Sequence, residues 1–158
     1  MGTPVDYDEL FPGRFLKAGL FQGRKPTLLV TAVKTEKLPA DDGEDEERGL
    51  LFFEQTEKQL IVNSTNGQCI MGIMNHILGE GKGRKVQSWV GHSFTFVSAK
   101  VKYKGKPVDG IRLHGSPDLD RDIKVEVILP KRKPVMMTMY ATGKKSEPEQ
   151  DREPGIEG

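Results

Sequence analysis

Cysteine is nearly absent from this chain, which has one, Cys69, in 158 residues. A lone cysteine excludes an internal disulfide and any zinc site that needs several cysteines. No run of about 18 apolar residues occurs, which argues against a helix that crosses a membrane. The first residues, MGTPVDYDELFPG, have neither a basic start nor an apolar stretch, so no secretory signal is expected. These absences favour a protein of the reducing cytoplasm.

Motifs of catalysis and of metal binding are also missing. The three histidines, His76, His92 and His114, are far apart and lack the spacing of metal ligands. No G-x-S-x-G elbow and no phosphate-binding loop occurs. The glycines at 81–84 precede no predicted helix, so they do not form a dinucleotide-binding turn. The sequence therefore predicts a protein that is not an enzyme and that uses no cofactor or metal.

Charge is strongly segregated, although the formal net charge is only +1. Residues 39–47 read PADDGEDEE, whereas residues 81–145 contain fifteen Lys or Arg against five Asp or Glu. Blocks of opposite charge are typical of a polyanion-binding surface with a separate acidic element. The alternative is a solvated acidic loop beside ordinary strands that carry lysines on their exposed side.

Alternating apolar residues and β-branched side chains predict seven strands. They cover residues 27–37, 49–55, 59–63, 89–103, 106–114, 122–129 and 134–142. The acidic stretch 38–48 is too charged for a strand interior and is predicted to be a loop. The basic residues 81–85 are predicted to be a short flexible link.

One helix is predicted after the third strand, over residues 64–78. Apolar residues recur there at helical spacing, namely Ile70, Ile73, Met74, Ile77 and Leu78. Asn63 or Ser64 is a suitable N-cap, and Gly79 ends the helix. Cys69 lies near the helix start, where its pKa could fall, but a buried structural cysteine is the simpler interpretation.

The order of predicted elements is three strands, a helix, two strands and an added hairpin. This order matches the oligonucleotide-binding (OB) fold, a small Greek-key barrel, so we expect a mainly β, OB-like domain over residues 27–142. A small mixed α+β sheet with one helix on its face is the alternative. Residues 1–26 are predicted to form an irregular arm, and residues 143–158 a disordered acidic tail.

Residues 98–114 (SAKVKYKGKPVDGIRLH) carry the clearest functional pattern. Basic residues alternate with apolar ones on both sides of a Lys-Gly step; they are Lys100, Lys102, Lys104, Arg112 and His114. This alternation around Gly105 predicts a hairpin with one apolar face and one cationic face. A bulge near Ser98 is also predicted, because Phe94 and Phe96 differ in parity from Val101.

Three segments resemble a family of small phage and prophage proteins. They are LFPGRFLKAGLFQGR at 10–24, LLFFEQTEKQLIVNSTN at 50–66 and WVGHSFTFVSAKVKYKGKPVDGIRLH at 89–114. Members of that family tend to be encoded among phage genes for DNA replication and recombination. The resemblance therefore implies a nucleic-acid role in the cytoplasm of a bacterial host. It implies no catalytic residues, and it covers neither the 122–142 hairpin nor the C-terminal tail.

OB barrels hold a single strand by combining cations that follow the phosphates with aromatic rings on which bases stack. The predicted cations are Lys82, Arg84, Lys85, Lys100, Lys102, Lys104, Lys106 and Arg112. The predicted stacking residues are Trp89 and Tyr103, with one of Phe52 and Phe53 as a further candidate. For Trp89 the competing interpretation is a core anchor, since a lone tryptophan is commonly buried.

The sequence thus predicts a single-stranded nucleic-acid-binding protein that acts in phage DNA replication, recombination or repair. DNA or RNA as the ligand and assembly into a homo-oligomer are both left open, and no membrane partner is expected. The alternative is a protein-interaction module that docks a phage or host replication or recombination protein. The tail ends in Gly-Ile-Glu-Gly without an apolar anchor, so an inert end is expected rather than a recruiting one.

Overall fold

The computed structural model describes residues 13–39 and 43–143, and the elements named here lie in those two ranges. The strands are β1 (Thr27–Pro39), β2 (Asp45–Phe53), β3 (Leu60–Val62), β4 (Ser93–Tyr103), β5 (Lys106–Ser116), β6 (Ile123–Val127) and β7 (Val135–Ala141). The α-helix is α1 (Ser64–Leu78). Predictions for the first part of the arm, the tip of the acidic stretch and the acidic tail fall outside the described residues.

The described strands form one mixed sheet in the order β3-β2-β1-β4-β5-β7-β6. Neighbouring strands are antiparallel except β5 and β7, which are parallel where Gly115 pairs with Tyr140 and Ser116 with Ala141. Within the described ranges no pairing joins β3 to β5, so the sheet is not closed. The prediction of a mainly β fold with one helix is confirmed at this level.

Helix α1 begins and ends where the sequence predicts. The side chain of Asn63 accepts a hydrogen bond from the backbone N–H of Asn66 at 2.8 Å, which is the geometry of an N-cap. At the other end the N–H of Gly79 donates to the carbonyl of Asn75. The described part of the chain contains no helix that is both long and apolar enough to cross a membrane.

The core lies between α1 and the sheet. Its fully buried side chains include Leu51, Ile70, Ile73, Met74, Phe94, Phe96 and Met139. Gly72 allows close approach of α1 to β6, because a Cβ at this position would lie 2.6 Å from a methyl carbon of Val125. The apolar periodicity of the helix therefore corresponds to the face that the sheet covers.

The acidic stretch 38–48 is more strand than loop, so that prediction was wrong. β1 extends to Pro39 and β2 begins at Asp45, and the two strands stay in register to these ends. Glu36 lies opposite Arg48, and Lys37 lies opposite Glu47. These facing residues are opposite in charge, which avoids the repulsion that like charges would cause across a ribbon with little apolar content.

The basic link at 81–85 is also ordered differently from the prediction. Two 3₁₀ turns, Lys82–Arg84 and Val86–Trp89, follow the helix, and β4 therefore starts at Ser93 rather than at Trp89. The N–H of Gly83 donates to Asn75 Oδ1 at 2.6 Å, and Trp89 Nε1 donates to the carbonyl of Gly83 at 2.8 Å. A Cβ at Gly83 would collide with the carbonyl oxygen of Met71, so only glycine fits against the helix here.

The predicted bulge near Ser98 lies elsewhere. Pairing between β4 and β5 shifts between Thr95, which faces Gly115, and Phe96, which faces Leu113. The additional residue is therefore on β5, and β4 continues without interruption from Phe96 to its end. Val101 thus stays on the face opposite to the buried phenylalanines.

Two side-chain amides of α1 replace strand neighbours at open sheet edges. Asn66 Nδ2 donates to the carbonyl of Ile111 at 2.9 Å, and the N–H of Leu113 donates to Asn66 Oδ1 at 3.2 Å. Gln68 bonds both backbone groups of Ile128 in the same way, at 2.8 Å each. Asn66 is 1% exposed, whereas the Gln68 contact is open to solvent.

Replacing Asn66 by alanine should therefore destabilise the fold more than the same change at Gln68. Asn66→Ala leaves a buried carbonyl and a buried N–H of β5 without partners, an expected loss of about 2–4 kcal/mol in the free energy of unfolding. For Gln68→Ala, water replaces the lost bonds, and the expected loss is about 1 kcal/mol or less. Urea unfolding of both variants measures this difference. Equal losses would show that the Asn66 amide does not hold β5.

Candidate nucleic-acid interface

The β4–β5 hairpin ends in a tight turn that presents its tip to solvent. Lys104 and Gly105 have φ of 52° and 80°, the left-handed conformation that a two-residue hairpin turn of type I′ requires. Tyr103 and Lys106 pair directly across this turn. Tyr103 is 52% exposed, and the ammonium of Lys104 lies 5.4 Å from the centre of its ring. An aromatic ring and lysines therefore lie together at one tight turn.

The register of the hairpin changes the predicted distribution of charge. Lys100 lies opposite Asp109 and Lys102 opposite Pro107, so these two lysines share one face. Arg112 lies opposite Val97 and is on the other face, with Tyr103 and Val108. The predicted single cationic face that joins Lys102 to Arg112 is therefore wrong, because antiparallel pairing here places even positions of β4 beside odd positions of β5.

The cations of the hairpin are not equivalent. Lys100 Nζ lies 2.8 Å from Asp109 Oδ1, and the two side chains are 77% and 54% exposed. Asp109 therefore neutralises the charge of Lys100, and an ion pair this exposed adds little to the stability of the fold. Lys102 and Lys106 are exposed, and no carboxylate of the described ranges lies within salt-bridge distance of either. Arg112 is half-buried, and burial lowers its pKa. The phosphate-accessible charge is therefore concentrated towards the tip.

A groove of about 530 Å³ runs beside this tip, along the edge of β5 that faces away from β4. Three predicted site residues line it, namely Lys102, Tyr103 and Arg112. Its opposite wall comes from β3 and from the segment that precedes β1, and it includes Phe15, Leu16, Lys17, Leu60 and Ile61. The groove is thus the place where the hairpin, β3 and the N-terminal segment meet.

The N-terminal segment is a part of this site that the sequence did not predict. Arg14 binds the carboxylate of Glu36 through two bonds of 2.6 and 2.8 Å, which lowers the pKa of Glu36, and it also donates to Gln59 Oε1. Phe15 forms a parallel bridge with Gln59. The alternation of glycine and apolar residues in this segment predicts an irregular arm, but it contains no signal that specifies where the arm docks.

Trp89 does not belong to the interface. It is 5% exposed, and its Nε1 is bonded to Gly83, so its ring has no face on which a base could stack. The interpretation as a core anchor is the one that fits. Of the other predicted aromatics, Phe53 is buried, and Phe52 is half-buried with the ammonium of Lys34 5.1 Å from its ring centre.

The second basic cluster, Lys82, Arg84 and Lys85, lies on the 3₁₀ turns after α1 and lines no part of the groove. All three side chains are exposed, and Arg84 Nη1 lies 3.8 Å from the sulfur of Met71. Arg84 borders a separate depression with Val86 and Ile128. The structure therefore divides the ten predicted site residues between two surfaces and the core.

An aromatic pair that the sequence did not single out lies at the base of the hairpin. The rings of His114 and Tyr140 are stacked, with centroids 4.7 Å apart and planes inclined by 30°. Burial, and then the charge of Lys25, lower the pKa of His114, which favours the neutral ring. The pair joins β5 to β7. The sequence did not predict this contact, because the two residues are far apart along the chain.

Cys69 is an inert core thiol. It is 0% exposed, and burial raises its pKa to about 11. In the folded protein at pH 8 a thiol reagent such as dithionitrobenzoate should therefore react at a small fraction of the rate found in urea. Release of thionitrobenzoate measures both rates. Rapid reaction of the folded protein would show that the thiol is accessible and activated.

Comparison with known proteins gives no evidence about the function of the β4–β5 tip or of the adjoining groove. No family model, no curated protein and no solved structure matches the chain. The resemblance to small phage proteins therefore stays a prediction, and function has to be argued from the side chains themselves.

Proposed function

We propose that the chain binds single-stranded nucleic acid, DNA before RNA, through the tip of the β4–β5 hairpin. The observation that carries this proposal is the tip itself, where Tyr103 is more than half exposed and lies between lysines beside a tight turn. Stacking on a ring and salt-dependent attraction to phosphates are the two interactions by which proteins bind single strands without reading their sequence.

The strand order supports an OB-like architecture as part of this proposal. Opening a five-stranded OB barrel between its third and fifth strands gives the order 3-2-1-4-5, the order of the first five strands here. The helix follows β3, as in that fold, and the hairpin tip is then the loop between strands four and five. That loop is one of the two that commonly contact oligonucleotides in OB proteins.

The acidic end of the β1–β2 ribbon limits the path that a strand can take. Asp45, Glu46 and Glu47 are exposed there and would repel phosphates. The proposed contact surface is therefore the β4–β5 tip alone, rather than a channel between the two long hairpins. A surface this small favours a short site of a few nucleotides.

Charge reversal at the tip tests the electrostatic part of the proposal. The double variant Lys102→Glu, Lys106→Glu should bind fluorescein-labelled oligo-dT at least tenfold more weakly, and the log–log salt slope should fall by about 1.4 if each lysine neutralises one phosphate. Fluorescence anisotropy at several salt concentrations, with a duplex as comparison, measures both quantities. The matched control is Lys82→Glu, Lys85→Glu, which removes the same charge from the other surface.

Equal loss of affinity in both double variants would mean that only net charge matters, and it would overturn the assignment to the tip. No binding of oligo-dT by the wild-type protein at low salt would overturn the function itself.

The stacking part of the proposal depends on Tyr103. Tyr103→Ala should cost about 1–3 kcal/mol of binding free energy, roughly 5- to 150-fold in affinity, with little change in the salt slope. Tyr103→Phe keeps a ring and should bind within about twofold of wild type. The same anisotropy titration measures both variants, and similar affinities for alanine and phenylalanine would exclude stacking at this position.

Protein docking is a second candidate function, favoured by a different surface. Ile128, Val135 and Met136 are each more than half exposed where β6 and β7 approach their connecting turn. Clustered exposed apolar side chains of this kind are typical of protein contacts. Binding of a phage or host replication protein at this surface should persist at high salt, which distinguishes it from the nucleic-acid contact.

A further inference from the structure

The two walls of the groove beside the hairpin are edges of the same sheet. On the β3 side, the N–H of Gln59 donates to the carbonyl of Arg14, and the N–H of Leu16 donates to the carbonyl of Gln59, both at 2.8 Å. Backbone groups of a strand alternate in direction, so those of Ile61 face the same way as those of Gln59. Just before β3, this edge therefore already forms a parallel bridge between Gln59 and Phe15.

The N-terminal segment leaves the edge before it reaches Ile61. Lys17 is still extended, but the chain then enters the 3₁₀ turn Ala18–Phe21. Among residues 13–39 and 43–143, no backbone hydrogen bond joins Ile61 to a neighbour on that side. The amide and carbonyl of Ile61 therefore face the groove.

On the β5 side, Asn66 shows which backbone groups point away from β4. Its amide bonds the carbonyl of Ile111 and the N–H of Leu113, so alternate residues of β5 face the groove. By the same alternation the N–H and carbonyl of Asp109 face it as well, because the pairing with β4 is regular over this stretch. In the described ranges no strand pairs with this part of the β5 edge.

The side chains around the groove indicate the chemistry of an occupant. Lys17, Lys102 and Arg112 contribute positive charge, and Asp109, the single acidic residue among the described residues of the lining, is paired with Lys100. Apolar contacts come from Leu60, Val101 and Val108. The N–H and C=O groups of Ile61 on one side and of Asp109 on the other match the donors and acceptors of a polypeptide backbone, whereas a nucleic-acid backbone has no N–H group to donate to the two carbonyls.

We infer that this groove binds an extended acidic peptide segment of a partner protein, which adds a strand between β3 and β5. Its backbone bonds Ile61 on one side and Asp109 on the other, and its carboxylates face the lysines and Arg112. Alternate apolar side chains enter the groove, as in other cases of strand addition. Since Lys102 and Tyr103 belong to both sites, the peptide and a single strand of nucleic acid compete.

Hydrogen exchange followed by NMR tests this inference without any nucleic acid. The probe is an equimolar pool of acetylated eight-residue peptides in which Glu alternates with Val, Ile, Leu or Phe. The pool should slow exchange of the Ile61 and Asp109 amides at least tenfold and leave the amides of Lys124 and Glu126, two exposed residues of β6, unchanged. A pool with Lys in place of Glu should have a much smaller effect. Absence of protection at saturating Glu pool would overturn the inference.

The free protein supplies two further outcomes that would overturn it. Protection of both amides at all protein concentrations would mean that a segment of this chain fills the groove. Protection that grows with protein concentration, together with a larger mass in analytical ultracentrifugation, would mean that a second copy fills it.

A backbone variant tests the proposed hydrogen bond. Asp109→Pro removes an N–H that faces away from β4, so the β4–β5 ladder is kept, as proline tolerates sheet edges. It should weaken binding of the Glu pool about tenfold or more relative to Asp109→Ala, which loses the same carboxylate but keeps the N–H. Equal affinities would overturn strand addition, and unchanged amide exchange of Phe96 and Leu113 verifies that both variants fold.

Discussion

The amide of Asn66 joins the helix to the sheet edge that β4 does not cover. The backbone N–H of the same residue is the group that the Asn63 side chain caps at the start of α1. One residue thus links the start of α1, the end of β3 and the middle of β5. A buried amide that is bonded through both its nitrogen and its oxygen favours one arrangement, since losing either bond leaves a buried backbone group of β5 unsatisfied. The position of the groove, and the direction of the β5 edge inside it, follow from this contact.

Sequence signals within a few residues of one another predicted the helix and the strands. They did not predict how the strands are aligned with one another in the sheet. The bounds of α1 come from apolar spacing, an Asn cap and a terminal glycine, all within a few residues of one another. The face of Arg112 depends on which residue of β4 it meets, and no pattern within β5 contains that information. The displaced bulge has the same origin, because the two strands shift against each other at Thr95.

Two predictions that were based on local composition were wrong, one for the acidic stretch 38–48 and one for the basic link 81–85. The acidic stretch looked too charged for strands, but cross-strand pairs such as Lys37 with Glu47 make charge compatible with pairing. The glycine of the basic link looked flexible, but Gly83 is required for close packing against the helix. The hairpin tip was predictable because Lys-Gly between alternating residues is a local signal for a turn. Its neighbour across the groove was not, because the N-terminal segment reaches β3 only through tertiary contacts.

The burial of Trp89 has a consequence for watching this molecule in solution. The one indole of the chain is bonded to the turn after α1 and lies outside the lining of the groove. Its emission therefore reports the packing between the helix and the turn, whereas the emission of Tyr103 reports the hairpin tip. A ligand that quenches tyrosine emission and leaves indole emission unchanged binds without altering the packing of α1 against the turn that follows it. A ligand that shifts indole emission has changed the packing of the helix. Trp89 is therefore an intrinsic fluorescent probe that distinguishes binding with a change at the helix from binding without one.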